Sequence, residues 1–391
     1  MASSSSSNHE REVDQDCIQS ALKEDKSYTK HTPSMASSSS NHEQEVDQDL
    51  WQACAGVEID IPKLNSLVYY FPRDHIEHSS SSPDECTLLS RYYGSCLCRV
   101  TNVSFHADSQ TDQVFVKFLL QPCNTDDPKT SAPSPIPNPN YYPTRRNRIN
   151  DNAVSFVKVL SKSDIPEGLL VTKALIDCIF SQLPQNPIEI IQLIDIHGKI
   201  WEIMLQLKDG MFDRLTGGWY DFAKTKNLTP GDSIVFMLKK STKECHVGIR
   251  RAVINRPISA KDVEEAIQTA RNMKSFEVVY YPIQGLPEFV VPKDKVDAAL
   301  HVRWRRENPV MFAYEYLGGR EPVKCWHGGR ILDFVHREND MSNWPDCWWR
   351  VLQIVWHVSP EILEKMPNLQ KDMSPWELEI WNCSVVIKSL Q

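Results

Sequence analysis

IEIIQLIDIHGKIWEIMLQL, residues 188–207, decides the fold class. IEIIQLI (188–194) and KIWEIMLQL (199–207) are rich in Ile, Leu and Trp, the composition of strands, and HGK (197–199) between them reads as a turn. The same composition recurs outward from this pair, in SFVKVL (155–160), SIVFML (233–238) and CHVGIRRAV (245–253), with TPGD (229–232) as a second turn. ALIDCIFSQL (174–183) is the one stretch here that reads as a helix. Many short strands with few helices over residues 153–253 imply a barrel or a sandwich.

Upstream, LWQACAG (50–56) reads as a short packed helix ended by Gly56. SLVYYF (66–71) is a strand stopped by Pro72, and CLCRVTNVSFHA (96–107) and QVFVKFLLQ (113–121) are strands joined by the polar turn DSQTD. Residues 1–49 are Ser-, Asp- and Glu-rich and too polar to offset their chain entropy, so disorder is expected, with order beginning at Leu50. MASSSSSNHEREVDQD (1–16) recurs as MASSSSNHEQEVDQD (35–49), a local duplication that makes Met35 an alternative start. Residues 123–152 read as a Pro-rich linker that carries the basic cluster TRRNR (144–148), either a nuclear-localisation or phosphate contact or simply a solvated linker.

Downstream, KDVEEAIQTARN (261–272) places apolar residues at 263, 266, 267 and 270, which is helical spacing. FEVVYYP (276–282), EFVVP (288–292), VMFAYEY (310–316), GRILDFV (329–335) and WWRVLQIVWH (348–357) read as strands. The last part is dense in Trp, with Trp344, Trp348, Trp349, Trp356, Trp376 and Trp381. A compact barrel would use them as core, and an aromatic cage for methylated lysine is the alternative.

The chain has 391 residues, 41% hydrophobic and 24% charged, enough for two or three globular domains. No run of eighteen apolar residues occurs, so no membrane-spanning helix and no membrane partner is expected. The Ser-rich start lacks the apolar core of a signal peptide. Eleven scattered cysteines without a C-x-x-C pair read as reduced thiols, and no metal-ligand spacing is present. No phosphate-loop, nucleophile-elbow or zinc-protease motif occurs, so neither an enzyme, a cofactor nor a small-molecule substrate is expected. The formal net charge of −8 speaks mildly against nucleic acid. Residues 199–256, however, hold eleven Lys or Arg against six Asp or Glu, a local +5.

In their order, these blocks resemble the auxin response factors of plants. LWQACAG, IPKLNSLVYYFPRDHIEH (61–78) and CLCRVTNVSFHADSQTDQVFVKFLLQP (96–122) resemble the opening of that family. FVKVLSKSD (156–164), LTGGW (215–219), LTPGDSIVFML (228–238) and HVGIRRA (246–252) resemble the plant B3 DNA-binding domain. FEVVYYPIQGLPEFVVPKDKVDAAL (276–300), SNWPDCWWRVLQIVWH (342–357) and MSPWELE (373–379) resemble the segments that follow. The resemblance implies a mainly β fold with some α: a B3 seven-stranded open pseudobarrel (153–253) inserted in a split α+β dimerisation domain (50–122 and 254–300), then a small Tudor-like β-barrel (301–383) and a tail (384–391). It implies a nuclear transcription factor that reads TGTC-type auxin response elements in double-stranded DNA, as a homo- or heterodimer with related factors.

The resemblance also places the contacts. The first recognition loop falls on Pro166-Glu167-Gly168-Leu169-Leu170, where a His and a Ser of the family are gone and Glu167 would face phosphates. The second falls on Lys208-Asp209-Gly210-Met211-Phe212-Asp213-Arg214, one residue short. Lys208 stands where the first arginine would, Phe212 falls on the base-reading arginine, and Arg214 could compensate if the loop rearranges. Thr216, Gly217 and Tyr220, with Gly168 and Leu170, complete the expected DNA face. For the dimer the matching residues are Ala266, Thr269, Ala270 and Met273, the last in place of a glycine. The regulatory and interaction regions of full-length relatives do not appear before Gln391, so a passive repressor is expected. The rivals are a diverged partner that dimerises without binding DNA, and an enzyme on a β scaffold.

Overall fold

Strands from before and after the β-rich middle of the chain meet in one sheet. The computed structural model describes residues 45–56, 59–80, 94–123, 153–180, 188–208, 211–253, 258–283, 286–316, 323–335, 350–360, 363, 369 and 372–380. The duplicated N-terminal residues up to 44, the TRRNR cluster, Trp344, Trp348, Trp349 and Trp381 lie outside the described residues.

β1 (Leu67–Tyr70), β2 (Cys96–Ala107) and β3 (Val114–Pro122) precede the middle; β11 (Phe276–Tyr280) and β12 (Val290–Pro292) follow it. Their order is β11-β3-β2-β1-β12, so the returning chain adds a strand to each edge. Inward residues such as Val68, Tyr70, Val100, Phe118, Leu120 and Val278 are buried. Helices pack over them. α1 (Gln48–Ala55) buries Trp51 completely, and the indole Nε1 donates to the Phe115 carbonyl at 2.9 Å. Order starts earlier than the expected Leu50: the Asp47 carboxylate caps α1 by accepting from the Leu50 amide, and Val46, itself buried, donates its amide to the Phe105 carbonyl. Pro72 does stop β1, but it also opens α2 (Pro72–Glu77), because a missing N–H costs nothing in a helix's first turn. α5 (Ala260–Arg271) forms where the spacing predicts, started by a Ser259/Asp262 capping box, and buries Val263, Ala266, Ile267 and Ala270.

The middle strands β4 (Ala153–Val159), β5 (Leu169–Leu170), β6 (Ile188–Asp195), β7 (Ile200–Lys208), β8 (Met211–Thr216), β9 (Ser233–Lys239) and β10 (Cys245–Arg250) make a second sheet. Its order is β4-β9-β10-β6-β7-β8-β5, antiparallel except between β10 and β6. The end strands β4 and β5 do not pair with each other, so it is an open, curled sheet of seven strands. Trp219, Phe222, Phe236, Phe180, Leu193 and Ile203 fill it. Of the helix expected over 174–183, the described residues form α3 (Lys173–Leu175) and then a wider π turn, Ile176–Phe180, in which Ile179 and Phe180 are both buried; 181–183 lie outside the described residues. α4 (Trp219–Thr225), for which the sequence suggested no helix, buries Trp219, Phe222 and Ala223.

The two sheets are bound tightly to each other. α1 lies against β10, where a Cβ on Gly248 would sit 2.2 Å from the Cys54 sulfur. Arg250 Nη2 donates to the Ala53 carbonyl at 2.8 Å, and Lys239 pairs with Asp47 at 2.7 Å. At the β2–β3 turn, buried Asp112 accepts from His197 Nε2 and from Lys226 Nζ, each at 2.9 Å. Lys226 also reaches Asp195 at 2.8 Å. Arg251 donates to the Thr111 carbonyl at 2.6 Å and pairs with Asp232 at 3.1 Å.

After α6 (Lys293–Leu300), β13 (Pro309–Tyr316), β14 (Val323–Phe334), β15 (Leu352–Trp356) and β16 (Glu379–Ile380) form a third sheet in the order β15-β14-β13-β16. Met373 bridges to Leu352 while Glu379 pairs with Met311, so this last segment joins both ends of the sheet. Of the tryptophans expected as core of this barrel, Trp356 and Trp376 are described and both are buried, but Trp376 packs into the first sheet's core, stacked on Phe71 at 4.8 Å.

Candidate nucleic-acid interface

The free end of the seven-stranded sheet is built around Asp164. Its carboxylate accepts from the Ser161 amide at 2.7 Å, the Ser161 hydroxyl at 2.7 Å, the Leu170 amide at 3.0 Å and Lys158 Nζ at 3.2 Å. Burial works against its charge, but the Leu170 amide, Ser161 and Lys158 hold its pKa below the usual value. The carbonyl of Asp164 accepts from Trp219 Nε1 at 2.7 Å, which ties the first recognition loop to the core. Sequence reasoning missed Asp164: nothing local shows that its partners lie in the loop's two ends and in α4.

Loop residues Glu167 and Gly168 lead into β5, which pairs with β8 so that Leu170 faces Arg214 and Leu169 faces Leu215. Gly168 has φ +97°, and a Cβ there would sit 2.6 Å from the Leu215 carbonyl oxygen. Its role is thus close backbone approach, which only glycine permits. The second loop is shorter than expected: β7 continues to Lys208 and β8 starts at Met211, with Lys208 opposite Met211 and Leu207 opposite Phe212. Within the stretch read as a seven-residue loop, Lys208 and Met211–Arg214 are thus strand residues. Gly210 lies outside the described residues.

Arg214 is the residue that the geometry singles out. Nη1 donates to the Gly168 carbonyl at 2.8 Å, and Nη2 stands 3.3 Å from the Glu167 carboxylate. The arginine expected to replace a lost base contact therefore clamps the two recognition loops together. Thr216 lies beside it, with its hydroxyl 3.5 Å from the Met204 carbonyl. Gly217 has φ +56° and is exposed, and a Cβ there would meet the Met204 side chain at 2.8 Å. At Gly218 a Cβ would lie 2.0 Å from the Glu202 carbonyl. The two glycines of LTGGW hence let the turn pass over β7. Tyr220 is 56% exposed on α4. Beside this group lies an apolar strip that sequence reasoning also missed: Ile190, Ile200 and Met204 are all exposed, with Ile190 paired opposite Met204.

The local +5 charge is largely committed elsewhere. Of the eleven basic residues in 199–256, Arg214, Lys226, Lys239, Arg250 and Arg251 hold carboxylates or carbonyls of the fold. Four of the acidic partners, Asp47, Asp112, Glu167 and Asp195, lie outside the counted stretch, so a local count cannot register them.

Of the residues expected at a dimer contact, Ala266 and Ala270 face the core and are 5% exposed. Thr269 is half-buried on the outer side of α5. Met273 is 44% exposed with φ +55°, the left-handed conformation that a glycine adopts without strain.

Residues 156–253 match the B3 DNA binding domain. Auxin response factor 17 of Arabidopsis thaliana is 30% identical over 390 residues, covering 85% of this chain and 61% of that protein. Auxin response factor 10 of Arabidopsis thaliana is 30% identical over 387 residues, 85% of this chain and 54% of that one. Auxin response factor 8 of Oryza sativa subsp. japonica is 29% identical over 375 residues, 85% and 52%. A solved structure of a hypothetical Arabidopsis thaliana protein aligns with 25% of this chain and 89% of its own, at 22% identity and a TM-score of 0.21. The chain spans a little over half the length of the curated relatives it matches. With a B3 DNA binding domain set into a split sheet whose flanking segments match as well, the chain is similar to auxin response factors over 85% of its length.

Proposed function

We propose that this chain is a nuclear transcription factor of auxin-activated signalling that occupies TGTC-type auxin response elements with weak base discrimination. The observation that carries this reading is the clamp on Arg214, between the Gly168 carbonyl and Glu167. A guanidinium that must leave two partners before it can reach guanine spends most of what a bidentate contact gains, about 1–3 kcal/mol. Phosphate contacts position such a protein without reading sequence, and they are salt-sensitive. Lys208, Thr216, Tyr220 and the backbone at Gly217 and Gly168 stand on the same side of the argument, as positioning contacts around Leu170 and Phe212.

In this reading residues 50–122 and 254–300 form a split dimerisation domain around the B3 domain, and the third sheet is an ancillary Tudor-like barrel. Homodimers or heterodimers with related factors form through the α5 region, with Thr269 and Met273 nearest the surface and Ala266 and Ala270 shaping the helix from beneath. Occupancy and pairing without strong base reading make the chain a passive repressor that competes for sites or partners. A titration with a TGTC duplex and a scrambled duplex, each at two salt concentrations, tests the reading. A preference of about tenfold or less, near 1.4 kcal/mol, is expected. A hundredfold preference overturns the weak-reading claim, and no binding to either duplex replaces it with the rival reading, a diverged partner that dimerises without DNA. The commitment of five basic residues to the fold favours that rival.

A further inference from the structure

Rows of paired residues continue the recognition loops into the outer face of the seven-stranded sheet. Leu170 pairs with Arg214 and Arg214 with Gln206, so these three share one row and one face. One register step on, Thr216 pairs with Met204 and Met204 with Ile190. Alternation puts this second row on the same face as the first, because the residues between them, Leu205 and Leu215, are wholly buried on the other. A step of two strand residues spans about 7 Å.

Met204 and Ile190 are 37% and 62% exposed, two large apolar side chains standing directly opposite each other at the surface. Met204 lies along the LTGGW turn, since a Cβ on Gly217 would sit 2.8 Å from its Cε. The next row, Gln192 opposite Glu202, carries a carboxylate and closes the strip, with Ile200 beyond it.

On a face that carries Arg214, exposed apolar side chains match one group of the major groove, the C5 methyl of thymine. The spacing agrees. Each guanine of a TGTC duplex, on either strand, has a thymine in the neighbouring base pair. Neighbouring pairs are about 3.4 Å apart along the helix axis, so a guanine under Arg214 leaves thymine methyls between the two rows or beneath the second. Methionine suits such a contact, because its unbranched thioether adapts to the position of the methyl.

We propose that Met204 and Ile190 read the thymine methyl groups beside the guanine that Arg214 addresses, as the apolar part of the TGTC contact. The inference rests on the DNA-binding reading above and takes its register from Arg214: without the arginine, the pair would meet the thymines of any duplex alike.

Uracil in place of the element's thymines removes the methyls and leaves every base-pair hydrogen bond. Anisotropy titrations of the full chain should show about fourfold weaker binding to the uracil duplex, which corresponds to one buried methyl at about 0.8 kcal/mol. Uracil at thymines outside the element should leave affinity unchanged. The Met204→Ala/Ile190→Ala variant should bind the thymine and uracil duplexes equally. Met204→Gln, which keeps the length of the side chain, should lose most of the difference, so a poorly folded double variant leaves the test standing. Equal binding of both duplexes by wild type overturns the proposal, and a TGTC preference over scrambled DNA in the same titrations would leave the DNA-binding reading intact. An equal loss from uracil outside the element also overturns it. A fourfold difference that survives in both variants assigns the methyl effect to duplex shape, with the same result. Binding to no duplex refutes the DNA-binding reading itself, and this inference with it.

Discussion

Glu167→Gln isolates the energetic conflict at Arg214. In the folded chain the guanidinium holds the Gly168 carbonyl at 2.8 Å and the Glu167 carboxylate at 3.3 Å. To place both nitrogens on a guanine it must release both. The carbonyl bond, made by a charged donor, is worth about 1.5–3 kcal/mol. The ion pair is worth at most about 1 kcal/mol, because the Glu167 side chain is 60% exposed and water screens it. Against these stands a base contact of about 1–3 kcal/mol. The balance is near zero, which is why weak discrimination is expected. Glu167→Gln removes the ionic part alone. It should raise affinity for a TGTC duplex about three- to fivefold, which corresponds to about 0.6–1 kcal/mol. Affinity for a scrambled duplex should rise by about twofold at most, from the loss of one negative charge near phosphates. Anisotropy titrations of both duplexes at low salt measure this, with thermal melting as the control for an unchanged fold. An equal gain on both duplexes would show that only bulk charge changed, and no gain on either would place Arg214 away from the DNA; both outcomes refute the clamp argument.

Five other substitutions probe the same architecture. Lys208→Ala should weaken binding equally for both duplexes and flatten the salt slope by about one unit, whereas Arg214→Ala should remove whatever sequence preference exists. Trp219→Ala should destabilise the B3 domain by about 3–5 kcal/mol in urea unfolding, since the ring is 1% exposed and anchors Asp164; normal melting with lost DNA binding would contradict this. Gly168→Ala should cost about 1–3 kcal/mol, because its φ of +97° and the 2.6 Å approach to the Leu215 carbonyl force the β5–β8 pair apart. His197 titrates above its ordinary value because it bonds Asp112, so its stabilisation is full below the unfolded pKa of about 6.5 and is lost as pH rises through the higher folded value. Melting of His197→Gln should therefore differ most from wild type near pH 5.5 and least near pH 8.5; a constant difference would refute the assignment.

The strands were legible because one buried face imposes alternation or a continuous apolar run, as in β9, where six successive residues from Ser233 to Leu238 are buried. α5 was legible for the same reason at helical spacing. The missed helices share a cause. α2 opens on a proline that ends the preceding strand, and α4 opens on Trp219 directly after two glycines, so each boundary signal was read for only one of its two neighbours. The candidate site residues were named by motif position, but the partners that hold them in the fold could not be. Arg214 finds Gly168 across 46 positions, His197 finds Asp112 across 85, and Lys226 finds Asp112 across 114. Such pairings follow from the register of strands, and no local pattern encodes them.

Those long-range pairs change what the positive charge of the B3 segment means. Arg250, Arg251, Lys226 and Lys239 fasten the seven-stranded sheet to α1 and to the β2–β3 turn. Charge spent in this way attracts phosphate poorly, yet it fixes the orientation of the B3 domain relative to the split sheet domain. Under the dimer proposed above, fixed orientation matters more than local attraction. Two readers that each discriminate about tenfold, joined so that both engage at once, can discriminate about a hundredfold on a correctly spaced pair of sites, whereas flexibly tethered readers lose part of that gain to competing arrangements. The interdomain ion pairs and the weakened base contacts are then compatible features: specificity moves from the recognition loops of one domain to the spacing between two.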